Sequence, residues 1–166
     1  MTLFKSAAFF AMLISFCLPG QTADDKATFT LQYAKLKSAI QAKSTGDVSA
    51  ICAPGFQSED VAGNIQSLDQ MLLGLAKVMT DPNKQSQTSV VKVTRDGEAA
   101  KVEQHYEMTT TKLAPDGEKL SVKLTTMSDD TWIQSGTGWR LAKTITRQMD
   151  YAINGALVMH QTHATK

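Results

Sequence analysis

From about residue 85 the chain changes from helical periodicity to long runs of alternation, cut by three compact turn signals. Thr, Val and aromatic residues dominate these runs, which suits a pleated, half-buried surface. Asp96-Gly97 favours a two-residue hairpin, because both positions tolerate positive φ. "APDGEK" turns again between Pro115 and Gly117, and "QSGTGW" turns at Gly136 and Gly138. The spacing predicts four strands, over about 86–95, 98–113, 119–135 and 138–150, each hairpin-connected to the next. Such a meander must lay one apolar face against something else in the chain.

The first half supplies the covering layer. In "ATFTLQYAKLKSAIQAK" (27–43), Phe29, Tyr33, Leu36 and Ile40 fall on one helical face. Gly46 suits the turn after this helix, and Asp47 is a candidate cap for a short second one, "VSAIC", which Pro54 is expected to stop. A third helix opens at a capping box, Ser67 with Gln70 three residues on, and carries Leu68, Leu72, Leu75 and Met79 as its stripe, the last of which lies outside the residues the structure describes. Three helices followed by an antiparallel meander define an α+β domain. At 166 residues the chain has room for one domain with a real core.

The N-terminal stretch reads as a secretory leader over residues 1–23. Lys5 precedes "SAAFFAMLISFCL", which is too short to span a bilayer, and Pro19-Gly20 break it before small residues. Export to the periplasm or the extracellular space is the expectation, with the domain over 24–151 and a tail of undecided structure over 152–166. Loss of Lys5 takes the 17 basic residues to 16, against 16 acidic ones. A neutral chain without a basic run lacks the positive potential that nucleic acid requires, and nothing after the leader is suited to a membrane. Cys17 leaves with the leader, so Cys52 remains as a lone thiol in the apolar "VSAIC" segment, expected to pack as a small hydrophobe.

Alternation assigns faces. Ala100, Val102, Gln104, Tyr106 and Met108 share the side expected to meet the helices, as do Leu120, Val122 and Leu124. On the last strand Trp139, Leu141, Lys143, Ile145, Arg147 and Met149 share one face, with Thr144 and Thr146 opposite. Lys143 and Arg147 are thus two cations in an apolar stripe, suited either to holding an anionic group or to laying their stems on apolar surface with their heads in solvent. Asp129-Asp130 reads as a bulge or solvated loop. His160 and His163 lie in the tail without a third ligand, and neither a metal site nor a cofactor motif is predicted.

The element order, with "ICAPGFQSED" leading to the capped helix and "DDTWIQSGTGWRL" closing the meander, resembles the nuclear transport factor two-like superfamily. Within it the chain is similar to small exported bacterial members of the polyketide-cyclase and ketosteroid-isomerase branch. The resemblance implies a strongly curved, cone-shaped sheet, a cystatin-like roll wrapped around three helices, with a pocket at its open end and two-fold dimers through the outer sheet face. It also implies that Tyr33 points its hydroxyl into the cone and that Trp139 packs between the sheet and the first helix. The expected ligand-lining set is Tyr33, Gln104, Tyr106, Trp139, Lys143 and Arg147, with no catalytic residue assigned. The leading expectation is an exported module that binds a small apolar or weakly anionic molecule. The alternatives are a lyase or isomerase with Tyr33 as oxyanion donor, and an interaction protein that uses the outer face.

Overall fold

The computed structural model describes residues 23–77, 80–136 and 138–163; the leader expected over the first residues lies almost wholly outside them. The element order is α1 (Ala23–Gln41), α2 (Thr45–Ile51), β1 (Cys52–Glu59), β2 (Ile65–Ser67), α3 (Leu68–Lys77), β3 (Gln85–Asp96), β4 (Ala99–Leu113), β5 (Lys119–Ser135), β6 (Gly138–Ile153) and β7 (Ala156–Thr162). The four expected strands are β3 to β6, and they form an antiparallel meander. The sheet runs β2-β1-β6-β5-β4-β3, with β7 also on β6. It is mixed rather than wholly antiparallel, because β1 pairs parallel to β6.

Local chemistry explains the helix ends. The left-handed residue that closes α1 is Lys43, not Gly46; the Ser44 amide donates to the Ala39 carbonyl and the Lys43 amide to that of Ile40. Ser44, rather than Asp47, caps α2 by accepting from the Asp47 amide. The capping box of α3 forms in both directions, the Ser67 amide donating to Gln70 Oε1 and the Gln70 amide to Ser67 Oγ.

Three further strands lie outside the expected meander. "CAPGFQSE" is β1, so Pro54 does not merely stop a helix, and Cys52 opens a strand rather than ending the second helix. Pro54 and Gly55 (φ +78) fall in a register break where β1 advances from Cys52 to Gln57 while β6 advances only from Leu141 to Lys143. Such an irregularity is a place where a sheet tolerates Pro and Gly. The supposed tail forms β7 after an Asn154-Gly155 turn, both residues at positive φ. Strands β1 and β7 share one edge of β6, β1 on residues 141–145 and β7 on 148–153.

The core lies where α1 crosses the closed end of the sheet. Phe29 is fully buried, its ring centroid 5.7 Å from that of Trp132 and 5.2 Å from that of Trp139. Burial of aromatics on this scale supplies much of a small domain's stability. The closing hairpin thus clamps the first helix. Arg95 stacks 5.1 Å over Trp139 and ion-pairs with the buried Asp25, tying the start of α1 to β3.

Candidate functional site

The registers of β4, β5 and β6 stack inward-facing side chains in layers. The deepest is Ala100, Trp132 and Leu141; above it come Val102, Asp130 and Thr144, then Gln104, Ser128 and Thr146, then Tyr106, Thr126 and Met149. The floor is buried and largely apolar, the middle rows carry hydroxyl, amide and carboxyl groups, and a cavity of about 620 Å³ opens above them. Its opposite wall is apolar, from Leu36 and Ile40 of α1 and Met71 and Leu75 of α3. Ligand sites combine this kind of apolar enclosure with a few convergent polar groups.

Asp130 is the distinctive group. It is 2 % exposed, and the Tyr33 hydroxyl donates to its Oδ2 at 2.6 Å. Trp132 Nε1 donates in turn to Tyr33 Oη at 3.3 Å, with the two rings edge to face. The other carboxyl oxygen, Oδ1, is buried with no hydrogen-bond partner, and the residue lines the cavity. Burial pushes the Asp130 carboxyl up to about 6, against the opposing pull of the Tyr33 and Thr144 hydroxyls and with a small push from the Asp129 charge. Desolvation, with the adjacent carboxylate, raises the Tyr33 phenol well above its ordinary value, so it stays a donor. The arrangement holds one carboxylate oxygen by a fixed phenol and leaves the other buried and without a partner, in a residue that lines the cavity. Such a group can accept a proton near neutral pH.

The expected lining residues divide into two sets. Tyr33, Gln104 and Tyr106 line the cavity. Trp139 is packed between Phe29 and Arg95 at the closed end. Lys143 and Arg147 are on the outer side, Lys143 paired with Glu59 at 3.2 Å and Arg147 with Asp129 at 2.7 Å. The physical reason is a pair of register breaks in β6. Ala142 is an extra residue between the pairs Trp132–Leu141 and Thr131–Lys143, and Arg147 is extra between Ser128–Thr146 and Met127–Gln148. Each break reverses the alternation, so Thr144 and Thr146 face the cavity in place of the two cations.

Asp130 itself escaped the sequence reading, which placed no acid on the inward face of the central strands. Its signal was present: counting by twos from Leu120, Val122 and Leu124 reaches Thr126, Ser128, Asp130 and Trp132 without a break. Asp129 therefore faces outward to Arg147, and the pair is continuous strand rather than a solvated loop. Cys52 is buried on the cavity wall, where desolvation lifts its thiol to about 11 and keeps it protonated. Glu59 bridges Lys143 and His163, the latter at 3.0 Å, and these partners, His163 first, hold its carboxyl below the ordinary range. His160 pairs with Asp150 at 2.5 Å.

No family model matches the chain, and no curated relative matches it. Solved structures do. A protein from Kribbella flavida superposes with a TM-score of 0.62 at 13 % identity, over 84 % of this chain and 95 % of its own. A candidate scytalone dehydratase from Novosphingobium aromaticivorans gives 0.60 at 11 % identity, over 86 % and 90 %. A type 2 hexachlorocyclohexane dehydrochlorinase gives 0.59 at 7 % identity, over 86 % and 91 %. Others carry the names nuclear transport factor two-like and cystatin-like, among them a protein from Novosphingobium aromaticivorans at 0.60 and 13 % identity, over 74 % and 80 %.

Proposed function

We propose, from a chain that has the nuclear transport factor two-like, cystatin-like fold, that the cavity binds a small organic molecule and that Asp130 takes a proton from it. The observation that carries this reading is the unpartnered Asp130 Oδ1, buried on the cavity wall while Tyr33 holds Oδ2. A carboxylate kept from water, with a proton affinity near neutrality, is suited to general-base work on a weakly acidic C–H. Two neighbours of this fold bear the names of elimination enzymes, a dehydratase and a dehydrochlorinase. Elimination begins with such a proton removal. Tyr33 serves here by orienting the base, because its hydroxyl is already given to Asp130 and is not free as an oxyanion donor. The hydroxyl-rich wall, with Tyr106, Thr126 and Ser128, supplies donors for a developing oxyanion. The leader-like run at the start of the sequence supports a site of action outside the cytoplasm.

The test needs no knowledge of the natural substrate. Aryl and cyclic ketones are incubated in D2O with the protein, and deuterium uptake at the carbon next to the carbonyl is followed by mass spectrometry. Acceleration by the wild type is expected, with a loss of about 10²–10⁴-fold in Asp130→Asn. Equal uptake with the two proteins, or none above buffer across the panel, removes the base role. A second reading, ligand binding without chemistry, draws on the commitment of the Tyr33 hydroxyl to Asp130. It would then be supported by ligands that bind equally well to both proteins.

A further inference from the structure

The cavity is polarised along its depth. At its buried end two acceptors have no partner, Asp130 Oδ1 and Gln104 Oε1, and both residues are more than nine-tenths buried. They sit on neighbouring strands one layer apart, since Gln104 pairs with Ser128 and Asp130 with Val102. An acceptor left unpaired in such a place costs free energy until a donor arrives. At the open end the lining includes Lys37, Lys43 and Lys84. Lys37 is half-buried and gives one of its three donors to the Ser86 carbonyl at 2.5 Å. Among the described residues neither Lys37 nor Lys84 has a carboxylate within ion-pair distance. The one rim carboxylate among the lining residues, Asp81, accepts from the Thr110 hydroxyl at 2.6 Å and the Asn83 amide at 2.9 Å, and the nearby Lys84 charge adds a smaller pull on it without reaching ion-pair distance.

We propose that the cavity takes an amphipathic organic acid: an apolar body, a hydrogen-bond donor such as a hydroxyl at its buried end, and a carboxylate that stays at the rim beside Lys37 and Lys84. This rests on the reading of the cavity as a ligand site and adds the substrate class. The anion end is not the Lys143–Arg147 pair, whose charges are spent on Glu59 and Asp129 on the outer side. The apolar body lies against the α1 and α3 wall of Leu36 and Leu75. The volume of about 620 Å³ falls within the range of sites that hold drug-sized molecules.

Calorimetric titration of the full chain with para-hydroxyphenyl alkanoic acids of increasing chain length tests this, alongside their methyl esters and their analogues lacking the hydroxyl. The acids are expected to bind about three- to tenfold tighter than the esters, a modest factor because the rim is exposed to solvent. That preference is expected to shrink between about 0.01 M and about 1 M salt, as screening shortens from ~30 Å to ~3 Å. Lys37→Met and Lys84→Met are expected to erase it, read as the ratio of acid to ester affinity within each variant. Gln104→Leu is expected to weaken the hydroxylated acids about tenfold and spare the others. Equal affinity for acid and ester, a preference that survives both lysine replacements, or no binding by any member overturns the proposal. Acids that bind with the lysine-dependent preference but undergo no carbon-proton exchange count against the base role alone.

Discussion

Asp130 carries a cost that its surroundings do not fully relieve. Two hydroxyls pull its carboxyl down, yet burial wins and the group ends near 6, above the ordinary 3.8. A folded-state value above the unfolded one means that the native protein binds more protons than the unfolded chain between those two points. Stability therefore falls as pH rises from about 4 to about 6 and levels off above. At about 1.4 kcal/mol per pH unit, the effect is on the order of 3 kcal/mol. Glu59, Asp60, Asp81, Glu107 and Asp150 behave oppositely: their carboxyls are held low, so their contribution is lost as pH falls below the ordinary carboxylate range. Asp130→Asn keeps the shape and removes the charge. The difference in melting temperature between variant and wild type is expected to widen in the variant's favour from pH ~4 to ~6.5 and then stay flat. A difference that does not change across that window would mean the carboxyl titrates normally. If Asp130 is the base, a residue that destabilises the fold has been kept for chemistry, as happens at sites under functional demand.

The strands show where sequence is readable and where it is not. In β5 the alternation runs unbroken from Leu120 to Trp132, so both the fold and the buried Asp130 were legible by counting. In β6 the same count fails twice, at Ala142 and Arg147, because a bulge on a strand of ordinary residues leaves no Gly or Pro to mark it. That is why Lys143 and Arg147 look inward in the sequence and face outward in the fold. Strand β1 was hidden by Pro54 and Gly55, which usually terminate elements but here occupy a register break. Strand β7 was hidden because an edge strand exposed along its whole length shows no alternation. Its one clear signal was Asn154-Gly155. Asn154 anchors this turn to β5, its amide donating to the Ser121 carbonyl and its Oδ1 accepting from the Ser121 amide, both at 2.8 Å. Gly155 stands at φ +82 with open space where a side chain would go, so Gly155→Ala meets backbone strain and no clash. The expected loss is about 1–2 kcal/mol. Hydrogen exchange is expected to accelerate first in β7 and the facing half of β6, while β4 and β5 stay protected. Uniform acceleration across the sheet would mean that β7 is not a separately opening unit.

For the molecule as a whole, the first helix is the closure on which the cavity depends. It meets the sheet through Phe29 between two tryptophans, through Tyr33 on Asp130, and at its start through Asp25 on Arg95. That last pair sits just past the expected leader boundary. Asp25 has a side chain only 10 % exposed, and Arg95 is 42 % exposed and stacked on Trp139. A chain processed after residue 23 retains this anchor; one that begins at Lys26 loses it and leaves the Arg95 guanidinium without that partner. Hydrogen-bonded charge pairs in half-buried settings contribute more than surface ones, so the shorter chain is expected to be less stable by about 1–2 kcal/mol. The measurement is denaturant unfolding of the 24–166 and 26–166 chains at equal concentration. The loss should be matched by Asp25→Asn in the longer chain. Equal midpoints for the two lengths would show that the clamp begins at Phe29. A loss reproduced by Asp25→Asn would show that the Asp25–Arg95 pair holds the start of α1 to the sheet.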